Sequence, residues 1–402
     1  MPRSPKLLPA GVTLADKLAC AQLHRQFPLE IVKQVLEERG VETKRKRELP
    51  NEFMAYYPIL LCLYRDVSQT EVLRVMAEGL DWLFGMNDFK ITGKSGISQA
   101  RARVGSDAMG DIFCRCARPL ANADAIGSFY KGMRLVGLDG TDLELEDCPE
   151  NSDAFGRSQN QNGPSAYPKA RVVALVEIGT RAAFAAEIGK YSQSEHELAV
   201  NVIPYLDSKM LCLADQLFMS FEIFDQAIRI GAQLLFRARM DRCLEREQVL
   251  PDGSYLSTIY SSRDRQKQHG LPVRVIEHYA NVTIDGKTTS HPYRLITTLL
   301  DWKQFEYNEL IELYRQRWEF ETMLAEMKTH LMGSQPLRSR APDLVRQEIY
   351  GMLMAHLAIR AAMYEAAYSA KIDPDDLSFT HSKNVLDRNL RKAGVFSPCT
   401  CR

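Results

Sequence analysis

The sequence predicts a mixed α/β fold in which an all-helical N-terminal region precedes a central sheet with a mainly β insertion. Apolar residues recur on a helical period up to about residue 130, and short strand-like runs begin near Met133. Between residues 233 and 300, short apolar runs alternate with Pro-Asp-Gly, His-Gly and Asp-Gly turns, which is typical of antiparallel strands. The length of 402 residues suits two or three domains.

Composition excludes several classes of protein. The 51 basic residues balance 51 acidic ones, so the chain is not uniformly basic, although local basic patches remain open. No apolar run approaches the roughly 18 residues of a membrane span, and the N-terminus does not resemble a secretory leader. The nine cysteines include no C-x₂-C pair, which favours buried thiols over a zinc site. We therefore expect a cytoplasmic protein without a membrane anchor.

The helical region contains two candidate DNA contacts. Residues 51–57, 59–64 and 72–84 are apolar on a helical period, and Ser68 with Glu71 has the spacing of a capping box. Residues 98–105 follow a turn-rich break and carry side chains that would contact DNA if their helix entered a groove, the alternative being a solvated helix face: Gln99, Arg101 and Arg103. The basic run at residues 44–47 is either a DNA-contacting arm or a solvated linker.

Two aspartates end apolar strands in the α/β region. Residues 134–139 and 141–146 are predicted as successive strands, and residues 211–215 as a later one, so Asp139 and Asp215 both stand at strand ends. A carboxylate in this position either points into a cleft or caps a turn. The aspartates alone do not decide between these interpretations.

A third acidic residue emerges when residues 309–331 are treated as one helix. At about 100° per residue, Tyr314, Arg317, Glu321 and Lys328 share a stripe roughly 60° wide between two apolar stripes. Polar groups buried without partners would cost several kcal/mol, so this stripe is either an internal ion-pair ladder or a functional site. The same wheel assigns Trp318 to the core. It assigns a solvated arc to Glu312, Glu319, Glu326 and His330.

The four residues of the stripe also carry a family resemblance. The pattern Tyr314-x₂-Arg317-x₃-Glu321-x₆-Lys328 resembles the signature of the insertion-sequence-four family of bacterial DDE transposases. The strands that lead to the two aspartates resemble that family's aspartate strands, and the resemblance covers roughly residues 50–390. One position departs from the family, which commonly continues its second aspartate with Arg-Gly where this chain has Gln-Leu.

The resemblance implies a fold and an activity. It implies a helical DNA-binding domain over residues 1–130 and a ribonuclease H-like catalytic domain over residues 131–390, with residues 233–300 as the β insertion and residues 391–402 as a loose tail. It implies a transposase that cleaves double-stranded DNA at element ends and joins them to target DNA. A nuclease without strand transfer and a catalytically inactive DNA-binding derivative remain as alternatives.

The resemblance also assigns roles to individual residues. Asp139, Asp215 and Glu321 would bind Mg²⁺, with Mn²⁺ as a substitute, and Asp139 would be the shared ligand; hard oxygen donors suit these ions. Arg317 and Lys328 would contact DNA phosphates, and Tyr314 a phosphate or a displaced base. The expected assembly is a homodimer on DNA, associated with the nucleoid.

Overall fold

The described N-terminal residues from Cys20 to Cys116 form helices joined by loops, as predicted. The computed structural model describes residues 20–45, 48–84, 92–161, 163–284 and 287–385. The helices of this part are α1 (Cys20–Gln26), α2 (Leu29–Glu38), α3 (Asn51–Met54), α4 (Tyr57–Leu63), α5 (Gln69–Phe84), α6 (Lys94–Val104) and α7 (Ser106–Cys116). The Ser68 hydroxyl accepts a hydrogen bond from the Glu71 amide at 3.2 Å, which confirms the predicted start of α5. Half of the basic run at residues 44–47 lies outside the described residues.

A central sheet follows. The elements of this part are β1 (Phe129–Tyr130), β2 (Met133–Glu144), α8 (Pro149–Phe155), β3 (Gln159–Asn160), β4 (Gly163–Pro164), β5 (Lys169–Glu177), β6 (Ala182–Lys190), α9 (Glu195–Val202), β7 (Met210–Ala214), α10 (Phe221–Ile230) and β8 (Gln233–Ala238). Strands β3 and β4 pair with each other in a separate two-stranded sheet, and the other strands belong to the central sheet. Five strands form its core in the order β6-β5-β2-β7-β8. Neighbours β2, β7 and β8 are parallel, whereas β5 is antiparallel to both of its neighbours. This order with one reversed strand is that of a ribonuclease H-like sheet, so the predicted fold class is confirmed.

One prediction for this sheet is wrong. Residues 134–139 and 141–146 are not two strands, because β2 runs without a break through Gly140, which pairs with Val173. The glycine serves close packing instead of a turn. A Cβ at this position would lie only 2.7 Å from Cδ of Glu195. Asp139 is therefore held within a continuous strand and not at a loop.

The β-rich segment continues the same sheet. It contains β9 (Gln248–Val249), β10 (Tyr255–Tyr260), β11 (Gly270–Ile284) and β12 (Lys287–Thr297). Strand β12 pairs antiparallel with β8, and β11, β10 and β9 follow outward. The segment is thus mainly β, as the turn pattern predicts. Its first predicted strand, β8, belongs to the core sheet.

The predicted single helix over residues 309–331 is wrong, because three pieces replace it. They are α11 (Tyr307–Arg315), α12 (Trp318–Ala325) and a π-helical turn (Glu326–Leu331). Between α11 and α12 the backbone tightens, since the amides of Gln316 and Arg317 bond to carbonyls three residues earlier, at 3.0 and 3.1 Å. In the π turn the bonding lengthens instead, as the Met332 amide bonds to the Met327 carbonyl at 2.9 Å. Both changes rotate the later side chains away from a regular helical wheel.

A long buried helix, α13 (Pro342–Ala370), ties these parts together. It packs against α4 and α7 of the N-terminal region, against β6 and against the π turn. It is apolar on nearly all sides, which is typical of a helix in the centre of a protein. None of the described helices combines the length and the apolar character that a membrane crossing requires.

Candidate active site

The first carboxylate, Asp139, lies in the middle of the sheet. Its Oδ1 accepts a hydrogen bond from the Gly140 amide at 2.8 Å, and its side chain is mostly buried. Burial raises the pKa of Asp139 to about 6, the negative charges of Asp215 and Glu321 add to this, and the Gly140 amide and Arg317 oppose it. A carboxylate surrounded in this way gains from a nearby cation.

The second carboxylate, Asp215, directly follows β7, the parallel neighbour of β2. The register places Leu138 opposite Ala214, so Asp139 and Asp215 leave adjacent strands at the same level. Asp215 Oδ1 accepts the amide of Leu217 at 2.7 Å, which fixes the turn after the strand. Replacement of the family's Arg-Gly by Gln-Leu therefore leaves a defined turn that orients this carboxylate.

The break between α11 and α12 brings the third carboxylate to the same place. Arg317 stands in the break, and its guanidinium donates to Asp139 Oδ2 at 3.1 Å and to Glu321 Oε1 at 2.9 Å. α12 packs against β2, with Phe320 over Gly137. The three carboxylates thus share one cluster, in which Arg317 bridges two of them and Asp215 is close enough to act on the pKa of Asp139.

This cluster is not a preformed metal cage. In the part of the chain that the structure describes, no three His, Cys, Asp or Glu side chains are placed to hold a metal ion as they stand. Asp139 and Glu321 instead point to the Arg317 guanidinium, which supplies the positive charge between them. The donors are all carboxylate oxygens, which fit a hard divalent cation. To bind one, the two carboxylates have to turn from the guanidinium towards the ion.

Tyr314 occupies a buried position that the DNA-contact prediction did not anticipate. Its ring is only 6% exposed and packs edge-to-face on Tyr293, with 5.7 Å between ring centroids. Its hydroxyl donates to the Ala214 carbonyl at 3.1 Å, and burial raises the pKa of Tyr314. The tyrosine therefore supports the end of β7, directly before Asp215, and its hydroxyl is buried on a protein carbonyl.

Lys328 differs from Arg317, although both belong to the predicted stripe. It makes no salt bridge with a described carboxylate, and burial lowers its pKa, with Asp142 and Glu144 opposing and Lys169 reinforcing that shift. The interpretation of the stripe as an internal ion-pair ladder is therefore correct for Arg317 and Glu321, which form a salt bridge, but not for Lys328. A half-buried ammonium group without an ion pair is available to an anion.

Two of the three side chains predicted to read DNA from α6 point inward. Arg101 is only 2% exposed and donates to Ser339 Oγ at 3.2 Å and to the Leu344 carbonyl at 2.7 Å. Arg103 donates to the Leu49 carbonyl at 2.9 Å and to Asn51 Oδ1 at 3.3 Å. The groove-reading prediction is therefore wrong for the buried Arg101, whereas for Arg103, which is half-buried and joins α6 to neighbouring backbone, it stays a prediction. Gln99 is exposed.

The helical wheel also misplaced two residues after the α11–α12 break. Trp318 was expected in the core but is 64% exposed, and it lines a cavity of about 290 Å³ beside Asp215 together with Arg237, His278, Tyr293 and Arg315. Glu326 was expected in solvent but is only 5% exposed, since α13 covers it. A regular wheel could not find either position, because the backbone departs from α-helical geometry on both sides of α12.

A further carboxylate near the site, Glu195, had no signal in the sequence pattern. It stands at the first turn of α9, and its side chain packs against the backbone of Gly140. Burial raises the pKa of Glu195, and the charge of Asp139 adds to the shift. Only the folded sheet brings it beside Asp139, since the two residues are far apart in the sequence.

Comparisons with known proteins agree with this geometry. Residues 17–114 match the family described as insertion element 4 transposase N-terminal, and residues 130–358 match the transposase DDE domain. Over 374 residues the chain is 30% identical to the transposase InsG for insertion sequence element IS4 of Escherichia coli, with 92% of this chain and 82% of that protein covered. A solved structure, the piggyBac transposase synaptic complex with hairpin DNA, is similar with a TM-score of 0.47 and 13% identity, covering 95% of this chain and 83% of that one.

Proposed function

Because this chain belongs to the insertion-sequence-four family of DDE transposases, we propose that Asp139, Asp215 and Glu321 are the catalytic carboxylates of a DNA transposase. One observation supports the assignment more than any other. Two carboxylates from separate elements, Asp139 on β2 and Glu321 on α12, converge on Arg317 at 3.1 and 2.9 Å. Asp215 joins them from the adjacent strand β7.

The reaction needs a divalent metal ion, and we propose Mg²⁺, with Mn²⁺ able to replace it. Asp139, Asp215 and Glu321 would hold the ion through carboxylate oxygens. When bound, such an ion activates the attacking oxygen and stabilises the leaving oxygen of a displacement at phosphorus. The chain's own groups position the DNA and balance charge around it.

Arg317 and Lys328 supply the positive charges of the site in this proposal. Arg317 neutralises Asp139 and Glu321 in the free protein. If a bound cation balanced the negative charges of the two carboxylates, the guanidinium would be free to bind a phosphate. Its planar arrangement of donors suits that group. Lys328 forms no ion pair with a described carboxylate, so its ammonium group can contact a phosphate directly. Gln99 and the half-buried Arg103 on α6 are the remaining candidate contacts of the N-terminal region.

Substitution of Glu321 tests the assignment. Glu321→Gln keeps the size of the side chain but loses the charge that binds a metal, so it should abolish Mg²⁺-dependent cleavage of DNA that carries the element ends, while DNA affinity persists. Glu312→Gln is the matched control, because Glu312 is a solvent-exposed carboxylate on α11 that pairs with Arg315. A Glu321→Gln protein that still cuts element ends would overturn the proposal.

Strand transfer separates a transposase from a related nuclease. We propose that the wild-type protein joins the cleaved 3′ ends to a second DNA, whereas a nuclease would release them. Labelled element ends incubated with a circular target plasmid measure this directly. Cleaved ends that never appear joined to the plasmid would favour the nuclease alternative.

The assembly and location follow from the DNA substrate. We propose that two copies of the chain act together, one on each element end, in the cytoplasm at the nucleoid. Light scattering of the protein with and without end DNA measures the stoichiometry. A complex with one chain per two ends would contradict the homodimer.

A further inference from the structure

We infer that Glu326, together with Arg360, His356 and Arg181, forms a buried clamp that positions Glu321 and Lys328 for the reaction. The inference rests on the proposed role of Glu321. These four residues are called the clamp. They lie behind the catalytic helix, and none of their hydrogen bonds described below is with Asp139. Glu326 is thus a positioning residue, which acts through the helix that it holds.

Both carboxylate oxygens of Glu326 form hydrogen bonds with neighbouring side chains. Arg360 Nε donates to Oε2 at 2.9 Å, His356 Nε2 meets the same oxygen at 2.9 Å, and Arg181 Nη1 donates to Oε1 at 3.0 Å. A second Arg360 nitrogen also bonds to Oε1. His356 and Arg360 are at most 1% exposed. A buried carboxylate held by two guanidinium groups and an imidazole is tightly fixed, since removal of the carboxylate would leave the buried Arg360 charge without this partner.

The partners of Glu326 belong to separate elements. His356 and Arg360 stand one turn apart on α13, whereas Arg181 lies in the hairpin between β5 and β6. Arg181 also binds Glu319 Oε2 at 2.5 Å and Asp375 Oδ1 at 2.6 Å. The clamp therefore joins α12 and the π turn to the sheet on one side and to the central helix on the other.

The backbone of Arg181 has a conformation that is unfavourable for a residue with a side chain. Its φ angle is +57°, in the left-handed region that glycine adopts more easily. A residue with a side chain is strained in that region. The three carboxylates that Arg181 binds offset this cost, which glycine at the same position would avoid without making any of the bonds.

The position of Glu326 connects the clamp to the site. Glu326 is five residues after Glu321, so on a helix at about 100° per residue the two side chains leave from nearly opposite faces. Glu321 faces Asp139 through Arg317, and Glu326 faces α13. Glu326 is also the first residue of the π turn, and Lys328 lies within that turn.

A π turn is a rare conformation that needs support from its surroundings. The clamp provides that support at the residue where the turn begins. If the clamp is weakened, the turn can relax towards a regular helix, which would rotate Lys328 and shift Glu321 relative to Asp139. We therefore expect the clamp to determine mainly metal affinity and turnover, with a smaller effect on DNA affinity through Lys328.

Glu326→Asp tests this with the least disturbance, because it keeps the charge but shortens the side chain by one methylene. The carboxylate then cannot reach α13 without pulling the π turn towards it. Metal affinity, measured from Mn²⁺ titrations by electron paramagnetic resonance, should fall about 10-fold or more, as should the cleavage rate at saturating DNA. The dissociation constant for end DNA should rise less than it does in Lys328→Ala, since Glu326→Asp moves a DNA-facing group but removes none.

Asp375→Asn is the matched control. It also removes a carboxylate from Arg181, but that carboxylate lies on the turn after α13 and not on the catalytic helix. Its metal affinity should equal that of the wild type. A purely structural role for Glu326 would lower the folded fraction and leave the metal affinity of the folded protein unchanged, which would overturn the inference, as would an equal loss in Asp375→Asn.

Two further variants complete the test. If Glu326→Asp does not fold, the double variant Glu326→Gln with Arg360→Gln removes both charges together and leaves Arg181 with two carboxylates. Failure of both to fold would assign the cluster to stability alone. Glu321→Gln, measured in parallel, separates the two hypotheses: if it still cleaves, the proposed function fails, whereas if it is inactive and Glu326→Asp behaves as wild type, only the clamp inference fails.

Discussion

At the scale of single residues, Asp139 shows how a candidate active site opposes folding. It is buried among like charges, and burial followed by those charges raises its pKa from 3.8 to about 6. A carboxyl with a raised pKa in the folded state stabilises the fold below its unfolded pKa, and this contribution is lost as the pH rises through the folded pKa. Near neutral pH the ionised Asp139 is therefore a local source of instability, which a bound cation would relieve.

Asp139→Asn should make this visible. The amide has nearly the same shape and does not titrate, so relative to the wild type its free energy of unfolding should rise by about 2–3 kcal/mol between pH 4 and pH 7. Denaturant titrations of both proteins at several pH values, without divalent ions, measure the difference. Parallel stability curves for the two proteins would show that Asp139 is not perturbed.

Tyr314→Phe distinguishes a structural from a DNA-contacting tyrosine. The variant loses the hydrogen bond to the Ala214 carbonyl, and the free energy of unfolding should fall by about 1 kcal/mol. DNA affinity should remain unchanged because the hydroxyl is buried. Denaturation and fluorescence anisotropy with end DNA provide the two measurements. A large loss of DNA affinity with unchanged stability would restore the DNA-contact prediction.

At the scale of elements, the chemistry of residue types was predictable, but the direction of individual side chains often was not. The carboxylates at β2 and β7 follow from apolar runs that end in aspartate. By contrast, α6 exposes Gln99 and buries Arg101, although both are polar. Arginine can be buried when carbonyl and hydroxyl acceptors are present, and those acceptors, Ser339 and Leu344, are more than two hundred residues away in the chain.

Arg101→Ala and Lys328→Ala form a contrasting pair. Arg101→Ala should reduce the free energy of unfolding by about 2–3 kcal/mol, since it leaves a cavity and buried acceptors without a donor, and should leave the salt dependence of DNA binding unchanged. Lys328→Ala should leave the fold near wild type and reduce the slope of log affinity against log salt by about one. The slopes come from binding titrations at several salt concentrations. A reduced slope for Arg101→Ala would show that α6 does present this arginine to DNA.

The break between α11 and α12 shows why a correct signature can come from incorrect geometry. The wheel drawn for residues 309–331 placed Arg317 and Glu321 on one face, and they are indeed paired. The tightened turn at Gln316 comes before both residues, so they keep the i,i+4 spacing at which helical side chains pair. Trp318 and Glu326 fall on the wrong faces because their positions depend on packing against α13 and the sheet, which no local pattern encodes.

At the scale of the whole molecule, the order of the strands was implied by the family resemblance, whereas the way the parts join was not. The insertion continues the core sheet through β12 and β8, so it is held by backbone hydrogen bonds and not by a flexible linker. Its turns predicted the strands, but strand pairing over such distances depends on the assembled core. Likewise, α13 comes late in the chain, yet it packs between the N-terminal helices and the sheet.

Gly351 on α13 tests whether this central helix couples the N-terminal helices to the catalytic part. A Cβ at Gly351 would lie 2.5 Å from the carbonyl carbon and oxygen of Pro58 in α4, and backbone atoms at that distance cannot give way as a side chain can. Gly351→Ala should therefore push α4 away from α13 and lower the free energy of unfolding by about 1–3 kcal/mol, although alanine alone favours a helix. The matched control is Gly110→Ala on α7, where the nearest atoms, at 3.1 Å, belong to the Tyr350 side chain and can shift. Its loss of stability should therefore be smaller.

Because the N-terminal helices contact α13 through this interface, thermal unfolding of Gly351→Ala should also broaden or separate into two transitions. Proteolysis would assign the first transition to the N-terminal helices. A single sharp transition at the wild-type temperature would mean that α4 and α13 do not depend on this contact.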